Sequence, residues 1–112
     1  MALRADPKLP DRVREVHPEV CFWLWNNNEP MVYGKKSPEG RSERRRFIDK
    51  WFGAEVVYRV RAEHRIRDVG TDDIYDAFAA LWSAQRICQG QAVVIPNPAP
   101  VDSAGLPMGI WY

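Results

Sequence analysis

The stretch Thr71-Asp72-Asp73-Ile74-Tyr75-Asp76-Ala77-Phe78-Ala79-Ala80-Leu81-Trp82 decides how this chain is read, because it opens on carboxylates and continues as an apolar helix. Ile74, Ala77, Phe78, Leu81 and Trp82 recur at i, i+3, i+4, i+7 and i+8, which is the period of one buried helix face. The spacing predicts a helix from Asp72 to about Gln89, stopped by Gly90. Asp73 and Asp76, three residues apart, project from neighbouring positions at its start, an arrangement suited to a divalent metal ion. The same residues also fit a helix capped by Thr71, with aspartates that complement the positive end of its dipole.

Working outward, a second acidic element lies in Val13-Arg14-Glu15-Val16-His17-Pro18-Glu19-Val20, where residues 12 to 17 read as a short strand that delivers Glu15 to the acidic helix. Pro18 as a first helical residue favours a short helix through Trp25, followed by a turn at Asn26-Asn27-Asn28-Glu29-Pro30. Between Lys35 and Arg46, the cations Lys35, Lys36, Arg41, Arg44, Arg45 and Arg46 outnumber Glu39 and Glu43. Ser37 as cap, Pro38 at the first helical position and Gly53 as stop predict a helix from Pro38 to Phe52 whose last turns bury Phe47, Ile48, Trp51 and Phe52. Lys35, Lys36, Arg41 and Arg45, with Arg44 nearby, are candidate contacts to a phosphate backbone, and a solvated charged face is the plain alternative. Ala54 to Arg65 reads as a further helix, Ala92 to Ile95 as a strand, and Met108 to Tyr112 as a last strand.

Composition sets the bounds. With 112 residues, 46 % of them hydrophobic and 12 % aromatic, the chain suffices for one globular domain. No apolar run reaches membrane-spanning length and the first residues lack a signal-peptide core, so a cytoplasmic protein is expected. Cys21 and Cys88 stand far apart and read as buried structural thiols. A net charge of +1 excludes a broadly basic, indiscriminate nucleic-acid binder but not a local patch.

Four short motifs in order carry a family resemblance. These are residues 13–20 quoted above, Lys35-Lys36-Ser37-Pro38-Glu39-Gly40-Arg41, Asp72 to Ala80, and the ending Gly105-Leu106-Pro107-Met108-Gly109-Ile110-Trp111-Tyr112. Together they resemble the C-terminal half of the proteins of domain-of-unknown-function family 429, predicted nucleases of the ribonuclease-H-like fold. The resemblance runs from about Arg12 onward. It implies an α/β domain over residues 12–112, a partial ribonuclease-H-like fold with a small incomplete sheet and three to four helices, after an irregular leader at 1–11. It also implies metal-dependent phosphodiester hydrolysis on DNA or RNA with Mg²⁺ or Mn²⁺, ions that suit an all-oxygen site. Carried over by motif, Glu15, Asp73 and Asp76 are the catalytic residues and metal ligands, Asp72 belongs to the helix cap, and Glu19 is a substitute for Glu15. His17 is open between positioning a water or phosphate and a structural role.

The chain also departs from the family pattern. Family members open on a strand bearing an Asp-Gly pair, whereas Asp6 and Asp11 lie in the proline-bearing leader and cannot serve as core-strand aspartates. Gly109 stands where a polar or acidic residue is expected. A homo-oligomer, or a partner chain supplying the missing N-terminal half, is therefore expected, with an interface at Val20 to Trp25 or along the Val13 to His17 edge. The alternative function is a catalytically silent, self-associating interaction or regulatory module that retains remnant carboxylates.

Overall fold

The structure, a computed structural model, describes residues 14–96, 99–105 and 108–112. The leader at 1–11 lies outside the described residues. Among those described, the order is β1 (Glu15–Val16), α1 (Pro18–Trp25), α2 (Pro38–Phe52), α3 (Ala54–Glu63), α4 (Thr71–Cys88), β2 (Val94–Ile95) and β3 (Ile110–Trp111). Four helices and a three-stranded mixed sheet make a small α/β fold. The described residues divide into a helical unit, Pro18–Trp82, and a sheet unit formed within residues 14–17 and 83–112.

In the helical unit the boundaries of α1 and α2 have local causes. Pro18 opens α1 with a pre-set backbone angle and no N–H to leave unpaired. Asn27 and Asn28 end it at positive φ, a conformation that asparagine tolerates better than most residues. The Ser37 hydroxyl accepts the Gly40 N–H at 3.0 Å to cap α2, and Gly53, at φ 92°, closes that helix with its N–H on the Asp49 carbonyl. The core of this unit joins Cys21, Phe22, Trp25, Ile48, Val57, Ile74, Tyr75, Phe78 and Ala79. Each large side chain among them contributes on the order of 2 kcal/mol by burial. Trp25 stacks on Phe47 and Trp51 and meets Trp82 edge-on at 5.1 Å.

Several expectations need correcting here. The buried face of α4 is Ile74, Tyr75, Phe78 and Ala79, while Ala77 and Leu81 are exposed, because neighbouring helices cover the Tyr75 and Ala79 side of the stripe. Trp51 is half exposed, although Trp25 and Trp82 pack against its ring. Thr71 lies inside α4 and does not cap it from outside. The Gly70 carbonyl accepts the first intrahelical bond, from Ile74, and the Thr71 hydroxyl accepts from Arg61 Nη1 at 3.0 Å. Cys21 is buried as expected, but Cys88, at the end of α4, is exposed. The Val20 to Trp25 segment places Cys21, Phe22 and Trp25 in the core and leaves Val20, Trp23 and Leu24 partly exposed.

In the sheet unit, β3 is central. It pairs parallel with β1 (Glu15 with Ile110, Val16 with Trp111) and antiparallel with β2 (Val94 with Trp111, Ile95 with Ile110). Two further bonds between Val93 and Tyr112 lengthen the antiparallel ladder. The Arg14 guanidinium lies 5.1 Å from the centre of the Trp111 ring. Gly109 is buried, and a side chain there would overlap Val94 and stand 2.8 Å from the Ala99 Cβ. Sterics therefore explain the glycine where a polar residue was expected. No helix among the described residues is long and apolar enough to cross a membrane.

Candidate functional site

Inside the helical unit, the lysine-tipped loop between α1 and α2 is brought onto the acidic start of α4. Lys35 Nζ sits 3.3 Å from Asp76 Oδ2, and Lys36 Nζ sits 3.0 Å from Asp72 Oδ2. The loop is held in place mainly by α2. Glu43 accepts the backbone N–H groups of Val32 and Tyr33 at 3.1 and 2.7 Å, and Ser37 donates to the Gly34 carbonyl at 2.7 Å. Arg41 Nη1 donates to the Lys36 carbonyl at 2.7 Å. Gly40 is required because α2 passes so close to the Gly34 carbonyl that a Cβ would collide with it.

Arg44 anchors this arrangement. Only 3 % exposed, it forms a bidentate pair with Glu19 at 2.9 and 2.8 Å and donates to the carbonyls of Tyr33 and Gly40. A fixed guanidinium fork suits a site that must satisfy a carboxylate and two carbonyls at once. Glu19 is thereby committed to Arg44, and Arg44 is not available to a phosphate backbone. Arg45 donates to Asp49 at 2.6 Å and to the Ala54 carbonyl, so it too is engaged within the fold.

The carboxylates differ in their environments. Burial pushes the Asp76 carboxyl above its ordinary value, against the opposing effect of Lys35, and the nearby charges of Glu19 and Asp72 add to the rise. The hydrogen bond from Lys36 holds Asp72 below its ordinary value. Lys35 is raised by its hydrogen bond to Asp76. Asp76 and Lys35 shift in the same direction for different reasons, because burial outweighs the ion pair for the acid while the hydrogen bond outweighs burial for the ammonium. Asp73 is exposed and takes no part in these ion pairs.

The structure thus brings Asp72, Asp76, Lys35 and Lys36 together, with Asp73 on the same helical turn. Glu15 lies exposed on β1, in the sheet unit, and His17 directly follows that strand, also exposed. Among the described residues, no three Asp, Glu, His or Cys side chains form a group that could hold a metal ion. The residues that sequence reading missed are Glu43, which pins the loop, and the Glu19–Arg44 pair. Nothing in the sequence marks a contact across 25 positions, although Arg44 follows Gly40 by one helical turn and bonds to its carbonyl.

Fold and site define a small α/β domain that sets an acidic helix start against a braced lysine loop. The chain belongs to the DUF429 family, described as proteins of unknown function, whose family model matches residues 1–101. The match begins at residue 1 and stops short of the ending at 105–112. Comparisons with curated proteins and with solved structures gave no match.

Proposed function

We propose that this chain is a divalent-metal-dependent nuclease of the ribonuclease-H-like class, acting on the phosphodiester backbone of DNA or RNA. The observation that carries the reading is the juxtaposition of Asp72 and Asp76 with the ammonium groups of Lys35 and Lys36, with Asp73 on the same helical turn. Phosphodiester hydrolysis needs carboxylates beside cations that receive phosphate oxygens.

With no group of three metal-ligating side chains among the described residues, two carboxylates would have to hold the ion. Mg²⁺ or Mn²⁺ takes hard oxygen ligands, and Mg²⁺ is commonly held by one or two carboxylates with water and substrate phosphate completing the shell. Asp73 and Asp76 are the residues that would hold it. Asp73 is open to solvent, and Asp76 stands three residues on, already paired with Lys35. When bound, the ion supplies Lewis-acid polarisation of the phosphodiester.

The chain's own residues do the rest. Lys35 has three N–H donors and gives one to Asp76, so it retains donors for a phosphate oxygen. Lys36, with its side chain 81 % exposed, can leave Asp72 at little cost, as expected of a surface pair. Arg41 keeps the loop in position through the Lys36 carbonyl. Glu15 is a third acidic candidate by family motif and is tested separately by Glu15→Gln.

The deciding experiment incubates the purified chain with labelled single-stranded and duplex DNA and RNA, with Mg²⁺, Mn²⁺ or EDTA. Metal-dependent cleavage lost in Asp73→Asn supports the reading. Absence of cleavage with either metal, together with no calorimetric metal binding, leaves the catalytically silent module as the function. The ion pairs that already neutralise Asp72 and Asp76 are what favour that second reading.

A further inference from the structure

A second feature of the helical unit lies next to the lysine loop. Glu19 and Trp23, one turn apart on α1, face the segment Pro30 to Lys35, and with Arg44 they line an open pocket of about 510 Å³. Its size falls within the range of small-molecule sites. The lining is mixed. Trp23 and Tyr33 supply aromatic surface, Met31 and Val32 aliphatic surface, and Glu19, Lys35 and Arg44 charge.

The wall of this pocket is built to stay in place. The Val32 and Tyr33 N–H groups are held by Glu43, the Tyr33 carbonyl by Arg44, the Pro30 carbonyl by the Asn26 side chain, and Lys35 by Asp76. Yet on this pinned segment Val32 is 76 % and Tyr33 50 % exposed. A segment held by four separate partners has already lost backbone freedom that binding would otherwise take from it, which is how a recognition surface differs from a loose loop.

The chemistry narrows the occupant. Aromatic side chains on a rigid frame take flat π-faces. The Glu19 carboxylate accepts two bonds from Arg44 while its side chain is still 37 % exposed, so it has acceptor capacity left for an amino or imino edge. Lys35 lines the pocket and also touches Asp76, so an anion on its remaining donors lies between pocket and acidic helix start. A flat, hydrogen-bonding ring joined to an anion is a nucleotide.

We infer that the pocket between α1 and residues 30–35 receives one unstacked nucleobase of a single strand, with the adjoining phosphate on Lys35. This deepens the nuclease reading and rests on it for the choice of nucleic acid. A base within a duplex has both faces covered by its neighbours and cannot meet Trp23 or Tyr33. The domain therefore selects single-stranded substrate over duplex.

The test is fluorescence anisotropy in EDTA, which removes cleavage from the readout. The probes are labelled deoxy- and ribo-oligonucleotides of roughly a dozen residues, the length range of single-strand sites, with the matching duplex and an abasic strand. The base-bearing single strand is expected to bind at least several-fold more tightly than the duplex or the abasic strand, and the two sugar types show which polymer the pocket prefers. Tyr33→Ala and Trp23→Ala should each weaken it by about tenfold, the size of one lost base–aromatic stack, and leave the duplex unaffected. Tyr33→Phe should restore binding. If Trp23→Ala loses its circular dichroism spectrum, Tyr33→Ala alone decides, because its half-exposed ring can be removed with both backbone anchors kept.

Equal binding of base-bearing and abasic strands, or an unchanged Tyr33→Ala, overturns the inference. Single-strand binding that is lost in Tyr33→Ala from a chain that cleaves nothing would sink the nuclease reading and leave the pocket standing. Cleavage that requires Asp73 but ignores Tyr33 would do the reverse.

Discussion

Replacing Gly40 by alanine sets two effects of opposite sign against each other inside α2. Alanine is favoured over glycine in a helix interior by about 1 kcal/mol, so on propensity alone the change should stabilise. Against this, the new methyl would collide with the Gly34 carbonyl oxygen and lie 2.6 Å from its carbon, with Arg44 Nη1 at 3.0 Å. These are mostly backbone atoms, so the 34–37 loop must withdraw. Withdrawal strains the Ser37 cap, typically worth about 1 kcal/mol, and the Arg44 bond to Tyr33, a charged hydrogen bond worth roughly 1.5–3 kcal/mol. Insertion of a methyl into a packed contact adds about 1–3 kcal/mol. The clash wins, and a net destabilisation of roughly 2.5–6 kcal/mol is expected once the propensity gain is subtracted, the upper end applying if cap and bond are both lost. Urea denaturation measures this directly, with Gly34→Ala as the control. A Cβ at Gly34 meets nothing within 4 Å, so that variant should stay within about 0.5 kcal/mol of the parent. A Gly40→Ala chain as stable as the parent, or more so, would refute the close approach of loop and helix on which the site depends.

Further predictions use the same site. Arg44→Ala should cost about 3 kcal/mol by urea denaturation, the low end for breaking a buried pair, because Glu19 remains partly in water. Asp73→Asn should abolish any Mg²⁺- or Mn²⁺-dependent cleavage and leave the urea midpoint unchanged, since Asp73 takes part in none of the ion pairs at the site. Asp76 is raised above its ordinary 3.8 by burial, so its contribution to stability falls as pH rises from 3.8 through the folded value. Asp72 is lowered, so its contribution is present above 3.8 and lost as pH falls through its folded value. Urea midpoints followed with pH should therefore rise at the upper side of this window in Asp76→Asn relative to the parent, and an unchanged profile would contradict the burial of Asp76. Val56, Tyr58, Ile66 and Leu81 are exposed, and a second copy covering such surface would appear in light scattering as twice the 13.0 kDa chain mass. A monomer that binds no hydrophobic dye would end the expectation of a homo-oligomer.

The helices were legible because their signals are local. Pro18, Ser37, Pro38 and Gly53 act within one turn: α1 begins at Pro18, and α2 begins after Ser37 and ends before Gly53. The facing of α4 was less legible. Periodicity picks out Ala77 and Leu81 with Ile74 and Phe78, but whether a stripe turns toward Ala77 or toward Tyr75 and Ala79 depends on where the neighbouring helices lie. The basic segment was legible as charge and not as partnership. Lys35, Lys36, Arg41, Arg44 and Arg45 look alike in sequence, yet Arg44 is buried on Glu19, Arg41 braces a carbonyl and the lysines pair with aspartates of the acidic helix. Gly40 reads in sequence as a helix defect and Gly109 as an uninformative position, because the atoms that forbid a side chain at each come from other segments.

The sheet places a constraint on the order in which this polypeptide acquires its structure. β3 supplies both pairings, to β1 in parallel and to β2 antiparallel, and each strand is two residues long. The partner of Glu15 is Ile110, so β1 finds its neighbour only by closing a loop that spans most of the chain. Such closure is slow and is rewarded by few bonds. The helical unit, whose contacts are local by comparison, should therefore gain protection from hydrogen exchange first during refolding, with the amides of β1 the last to be shielded.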